Sequence, residues 1–145
     1  MNELLITRVS IVDQELLEAF KRLMPQLTNA PIPDAAELRS LLDSPSILVV
    51  ARFAAQGTII GAGTLAVFRT PSGLHAHIED VVVDENLRGK GIGEALVKEL
   101  LQIAREQGLK GVSLTCNPRR EAANWLYQKM GFKKWETNLY WYELS

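Results

Sequence analysis

Residues 88–93 read Arg-Gly-Lys-Gly-Ile-Gly, with three glycines at alternate positions between an apolar run ending at Val83 and a helix-forming stretch. The start of a helix leaves backbone N–H groups unpaired and carries partial positive charge. Gly89, Gly91 and Gly93 remove side chains, so a ligand can reach that backbone, while Arg88 and Lys90 add donors and charge. The chemistry is that of an anion cradle, and phosphate is the usual anion. Two better-known phosphate signatures do not fit. The nucleoside-triphosphate loop needs Gly-Lys-Ser/Thr, and here Lys90 is followed by Gly91. The dinucleotide fingerprint needs G-x-G-x-x-G, and here the spacing is G-x-G-x-G. Taken alone, the turn is also compatible with a tight strand-to-helix connection that binds nothing.

Other residues could do chemistry. Glu79 and Asp80 are adjacent carboxylates just before Val81, Val82 and Val83. A carboxylate can serve as a general base or simply sit on a solvated strand face. Strict alternation sends Asp80 to the face opposite Glu79, unless a β-bulge intervenes. His75 and His77 lack a third partner for a metal, and a strand-edge role is expected. Cys116 has no activating neighbours and reads as a small buried residue. Lys133 and Lys134 read as a solvated face. Trp135, Tyr140, Trp141 and Tyr142 form an aromatic group suited to core packing, an acceptor pocket or a homodimer contact.

The elements that must position these groups follow from periodicity and caps. The run "LLITRVSI" reads as a strand. Asp13 caps a helix carrying Leu16, Leu17, Phe20 and Leu23, stopped at Pro25. Asp34 caps a second helix over 35–42. "SILVVARFA", "TIIGAGTLAVF" and "AHIEDVVV" read as three successive strands. The three valines suggest burial on both faces. Residues 91–107 repeat Ile92, Leu96, Leu100 and Ile103 at helical spacing, with Glu94 and Lys98 outward. "GVSLTC" predicts a strand. Asn117 with Pro118 predicts a helix start, running to about Met130, burying Ala122, Ala123, Leu126 and Met130, and ending at Gly131. Phe132 is placed to pack back on that helix end. "FKKWET" and "NLYWYEL" read as closing strands. The order is that of a single α/β or α+β domain over residues 1–145, built on one mixed sheet.

The chain has 145 residues, 47% apolar and 23% charged, with a net charge of −1. That suits one soluble domain and lacks the basic excess of a general nucleic-acid binder. One cysteine excludes an internal disulfide and fits a reducing compartment. No apolar run approaches the roughly 18 residues of a membrane span, and the first ten residues do not read as a secretory signal. A cytoplasmic protein without a membrane partner is expected.

The pattern Arg88-x-x-Gly91-x-Gly93 after an apolar strand resembles the acyl-CoA signature of the GCN5-related N-acetyltransferase (GNAT) superfamily. "NWLYQKMGF" is similar to that family's second motif, a tyrosine followed four residues later by Gly-Phe. The two motifs span Ile78 to Phe132 in the family's order, with a predicted strand between them. The resemblance implies a mixed sheet of about six to seven strands flanked by about four helices, in which the strand from Ala76 to Val83 splays from that of Gly111 to Cys116. It implies that pantetheine of acetyl-CoA lies along Val81, Val82 and Val83. The pyrophosphate would rest on Arg88, Gly89, Lys90, Gly91, Ile92 and Gly93. Many members carry an asparagine seven residues before the tyrosine, where this chain has Arg120. Asn117 and Asn124 stand near enough in sequence to substitute, Asn117 also being read as a helix cap, and Arg120 could meet a phosphate.

The expected reaction is transfer of acetyl from acetyl-CoA to a primary amine, by direct attack in a ternary complex without a metal. An acceptor amine of pKa about 10 must lose a proton before it can attack a thioester. Glu79 is the candidate base, with Asp80 second or orienting the substrate. Tyr127 would protonate the departing thiolate, and a backbone N–H near Val81 would meet the oxyanion. The segment "MPQLTNAPIP", which walls the acceptor site in this family, is nearly uncharged and names no acceptor. "HIED" resembles the same strand in glucosamine-6-phosphate N-acetyltransferases. A small amine and a peptide amine both remain open, as does a non-catalytic acyl-CoA sensor.

Overall fold

The computed structural model describes residues 3–145. They divide into two compact units, one extending to Leu114 and the other spanning Thr115–Ser145.

The first unit is built on four antiparallel strands in the order β1 (Leu4–Arg8), β2 (Ile47–Phe53), β3 (Ile59–Thr70) and β4 (Gly73–Val83). Its three helices are α1 (Gln14–Leu23), α2 (Ala35–Asp43) and α3 (Ile92–Glu106). Local chemistry sets their ends. The Asp13 carboxylate accepts from the Leu16 N–H at 2.9 Å, as its position predicted. Asp34 and Glu37 form a reciprocal capping box, at 2.8 and 3.1 Å, which satisfies two orphan N–H groups at the start of α2. Pro25 ends α1 in a single 3₁₀ turn over Met24–Gln26.

The sheet is covered on both faces. On one, Leu16, Phe20 and Leu23 of α1 and Leu38 of α2 pack with Leu48, Val50, Ala62 and Val82, all buried. The other face meets α3, and two sheet glycines set how closely. A Cβ at Gly63 would lie 3.2 Å from Leu100 Cδ1. One at Gly61 would lie 3.2 Å from Leu96 Cδ1 and 3.0 Å from the Val82 carbonyl oxygen. Glycine at these positions lets the α3 leucines sit on the backbone. Leu96 and Leu100 are fully buried as a result.

The sheet is smaller than expected. Residues 111–116 form no full strand. Their single β-bridge is parallel, between His77 and Ser113, with Ile78 N–H donating to Ser113 at 2.8 Å and Ser113 N–H to Ala76 at 3.1 Å. The two predicted closing strands are also absent, since residues 132–145 adopt neither helix nor strand. Alternating apolar residues give a segment the capacity to be a strand, but the strand exists only where a partner completes its hydrogen bonds. Trp135, Tyr140, Trp141 and Tyr142 are all more than 80% exposed, which removes core packing as their role.

In the second unit, α4 (Glu121–Lys129) ends in a Schellman motif. The Phe132 N–H donates to Tyr127 and the Gly131 N–H to Gln128, with Gly131 at φ +106°. The Phe132 ring meets the Tyr127 ring edge-on at 5.7 Å, so the expected return of Phe132 onto the helix end is present. The helix starts later than predicted, at Glu121, because Asn117 caps a turn instead. Its Oδ1 accepts from the Arg119 N–H at 2.9 Å, and its carbonyl accepts from the Arg120 N–H at 3.0 Å. No α4 residue is fully buried. Ala122 is exposed, and Ala123, Leu126 and Met130 are half-buried.

Candidate functional site

The glycine turn of the first unit forms as a strand–turn–helix. Asp84 begins the turn, its N–H bonded to the Ile60 carbonyl and its own carbonyl accepting from Leu87 N–H. Two contacts tie this turn to the end of α1. Arg22 pairs with Asp84 at 3.7 Å while also donating to the Ile59 carbonyl, and Gln26 Oε1 accepts from the Glu85 N–H at 2.8 Å. Arg88 folds back so that its Nε donates to the Val83 carbonyl at 3.2 Å.

Gly89 and Gly91 both occupy the left-handed region, at φ +81° and +80°, where a side chain would be strained. Nothing lies within 4 Å of the Cβ positions they lack. The space over the turn is therefore open, and the glycines serve backbone conformation and access instead of packing. Gly91 caps α3 without any side-chain acceptor, and the first helical bond is Ala95 N–H to Gly91. The N–H groups of Ile92, Gly93 and Glu94 are left without helical partners at the positive end of a 15-residue helix. Arg88 and Lys90 are exposed beside them. Gly93 differs from the other two, since a Cβ there would touch Val83 Cγ2 at 3.8 Å.

The carboxylates sit on a β-bulge. Thr64 pairs with Glu79 and Ala62 with Val82, so Gly63 alone faces both Asp80 and Val81. Asp80 is the extra residue, with φ +52°, one of two non-glycine residues with positive φ among those described. The bulge overturns the alternation expected of a regular strand. Cross-strand partners share a face, which puts Glu79 on the face of Thr64. Asp80 lines a cavity on that same face, together with Thr64. Val82 points into the core on this side, while the Val81 side chain lies near Gly63 on the α3 side. The valine run is thus split between faces, with Val82 fully buried and Val81 and Val83 half-buried.

The cavity measures about 180 Å³ and lies between the α1–α2 region and the sheet. Phe20, Leu38, Leu41 and Leu48 give it apolar walls. Met24 and Pro33 come from the uncharged segment flagged in the sequence. Its polar groups are Thr64, Asp80 and Glu37. The segment contributes no charged side chain to the lining. The charges enter from Glu37 of α2, which the sequence did not single out, and from Asp80 at the bulge, which it did. The Asp34-x-x-Glu37 capping pattern was the available signal that Glu37 would be held at the start of α2.

The two histidines are engaged by neighbours. His75 Nε2 lies 2.8 Å from Thr70 Oγ1 and 3.0 Å from Ser72 Oγ, and its ring stacks on Phe68. His77 Nδ1 meets Ser113 Oγ. Among the described residues no group of three or more His, Cys, Asp or Glu is assembled to hold a metal.

In the second unit, Asn124 binds the preceding turn. Its Nδ2 donates to the carbonyls of Asn117 at 2.9 Å and Arg120 at 2.8 Å, and reaches Cys116 Sγ at 3.5 Å. The Asn124 side chain thus holds the turn that Asn117 caps, and Arg120 stands exposed at the start of α4. Cys116 is only half-buried, contrary to its expected place in a core. The Tyr127 phenol is pushed above its ordinary value, chiefly by burial, further by Cys116, and is partly offset by Arg120. It is a neutral hydroxyl at physiological pH, able to give a proton.

Comparison with known proteins supplies an independent finding. Residues 13–132 match the sequence profile described as "Acetyltransferase (GNAT) family". The chain is 37% identical over 138 residues to a probable glucosamine 6-phosphate N-acetyltransferase 2 of Oryza sativa subsp. japonica, covering 88% of this chain and 80% of that one. It is 30% identical over 146 residues to a glucosamine 6-phosphate N-acetyltransferase of Trypanosoma brucei brucei, covering 96% and 97%. Among solved structures, an aminoglycoside acetyltransferase from an uncultured soil metagenomic sample, in complex with trehalose, superposes with a TM-score of 0.82 at 25% identity, covering 98% and 97%.

Proposed function

Because this chain belongs to the GNAT family of acetyltransferases, we propose that it transfers acetyl from acetyl-CoA to the amine of a small molecule bound against the α1–α2 face of the sheet. The observation that carries the reading is the turn from Arg88 to Gly93. Two left-handed glycines hold open an uncapped helix start flanked by two exposed cations. That donor set fits a pyrophosphate, which needs convergent N–H groups and close approach. Acetyl-CoA supplies the activated acyl group and a thiolate as leaving group.

The chain's own residues divide the remaining work. Arg88, Gly89, Lys90, Gly91, Ile92 and Gly93 bind the diphosphate. Val81 lies in the bulge, while Val82 and Val83 pair with Ala62 and Gly61 of β3. Because β4 is the last strand of the sheet, the outer backbone edge of these three residues is available to orient the pantetheine arm, and a Val81 N–H can serve the oxyanion. Glu79, on the face of the cavity, takes the proton from the acceptor ammonium, directly or through water. Asp80 orients that ammonium. Tyr127, with its raised phenol, returns a proton to the thiolate. Arg120 is available to a CoA phosphate, while Asn117 and Asn124 maintain the turn that presents it. The carbon–sulfur bond breaks as the carbon–nitrogen bond forms, with no metal required. The whole chain works as one catalytic domain.

Calorimetric titration of CoA and acetyl-CoA, followed by a thiol-release assay with amines, tests this. Binding with amine-dependent thiol release is expected. Absence of CoA binding would refute the reading of the turn, and binding without release on any amine would favour an acyl-CoA sensor.

A further inference from the structure

We infer that the acceptor is an unphosphorylated primary amine carrying a benzene-sized apolar group, such as an arylalkylamine, and that Glu37 and Asp80 select its ammonium. The inference rests on reading the cavity as the acceptor site. Its size and lining carry it. A cavity of about 180 Å³ is comparable to the apolar cavity of about 150 Å³ known to admit benzene. The walls from Phe20, Met24, Leu38 and Leu41 offer an aryl or branched alkyl group burial worth roughly 25 cal/mol per Å². A sugar in the same space would set its hydroxyls against aliphatic carbon, and among the described residues Thr64 is the only uncharged polar side chain that lines it.

The charges point the same way. The two ionisable side chains lining the cavity are Glu37 and Asp80, both carboxylates, and no Lys, Arg or His lines it among the described residues. The Arg22 guanidinium near the end of α1 is committed to Asp84 and the Ile59 carbonyl, and Lys21 pairs with Glu18 at 3.4 Å. A phosphate dianion would face two like charges with no cation, which is unfavourable at close range. An ammonium there faces two opposite charges. The two relatives described above are named for a phosphorylated amino sugar, so the lining predicts that this chain departs from them in acceptor.

The test measures initial rates of thiol release from acetyl-CoA with 2-phenylethylamine, glucosamine and glucosamine 6-phosphate. It is paired with calorimetric binding of each amine to the full chain. The variant is Glu37→Gln, because glutamine also serves at that position of a capping box and so retains the helix start while removing the charge. A kcat/KM for 2-phenylethylamine at least tenfold above that for glucosamine 6-phosphate is expected. KM for 2-phenylethylamine should rise about threefold in Glu37→Gln, in line with a partly exposed ion pair. Preference for glucosamine 6-phosphate would overturn the inference while leaving the transferase reading intact. Saturable, Glu37-dependent binding of 2-phenylethylamine without turnover would support the inference and sink the transferase reading. Neither binding nor turnover of 2-phenylethylamine would overturn the inference.

Discussion

The bulge at Asp80 gives the most discriminating perturbation, because it links backbone strain to chemistry at a single residue. Asp80 sits at φ +52°. Glycine adopts that region freely, and aspartate and asparagine tolerate it through local hydrogen bonding. Other residues lose roughly 1–2 kcal/mol, and a β-branched residue is an outlier there. The Asp80 carboxylate also lines the cavity. Four substitutions separate the two effects. Asp80→Asn and Asp80→Gly should leave the fold within about 0.5 kcal/mol of the parent. Asp80→Ala should lose about 1 kcal/mol and Asp80→Val about 2 kcal/mol, since each forces a side chain into the left-handed region. For a chain of this size 1 kcal/mol corresponds to about 3–4 °C in Tm, so Asp80→Val should melt about 6–8 °C early. Activity should follow a different order. Asp80→Asn, though stable, should raise the acceptor KM about fivefold by removing an ammonium partner, while CoA affinity stays constant. Urea denaturation and steady-state kinetics on the same four proteins read both orders. Equal stability of Asp80→Ala and Asp80→Gly would refute the strained bulge. A KM that tracked Tm instead of charge would refute the role of the carboxylate.

Other substitutions test separate parts of the site. Gly91→Ala imposes φ +80° on a residue with a side chain, in open space. It should cost about 1–2 kcal/mol of stability and weaken CoA binding at least tenfold by calorimetry, without a steric clash to explain the loss. Tyr127→Phe should lower kcat about 10²-fold or more while CoA affinity is unchanged. In the parent, the donating form of Tyr127 is full below pH 10 and is lost only as pH rises through its raised value, so activity should hold to above pH 10 before any tyrosine limb appears. The same sign applies to stability, since the neutral phenol favours the folded state until that pH is passed. Gly63→Ala would bring a Cβ to 3.2 Å from Leu100 Cδ1. Overpacking of this kind costs about 1–3 kcal/mol, and urea titration should show a lower midpoint with an unchanged m-value.

The sequence by itself determined the features that rest on neighbours along the chain. Asp13 and Asp34 cap their helices because the acceptor and the orphan N–H lie within three residues. The apolar repeat from Ile92 to Ile103 defines the buried side of α3. Glycines at alternate positions announced an open helix start, and Gly131-Phe132 the end of α4. Family membership was legible for the same reason, since its two motifs are short runs with fixed spacing. Tertiary structure alone decided what depends on a partner distant in sequence. The bulge places two residues of β4 opposite Gly63, and it brings Asp80 to the face that Glu79 already occupies through its regular pairing with Thr64. The cavity's charge arises from residues 43 positions apart in sequence. The expected strands at 111–116 and 132–145 had the right composition, but the first makes only the single bridge at Ser113 and residues 132–145 form no strand. The need for glycine at 61 and 63 comes from the α3 leucines that pack on the sheet there. Caps and periodicity are local energies, whereas register, cavities and strand pairing are set by which surfaces meet, and only the folded chain determines that.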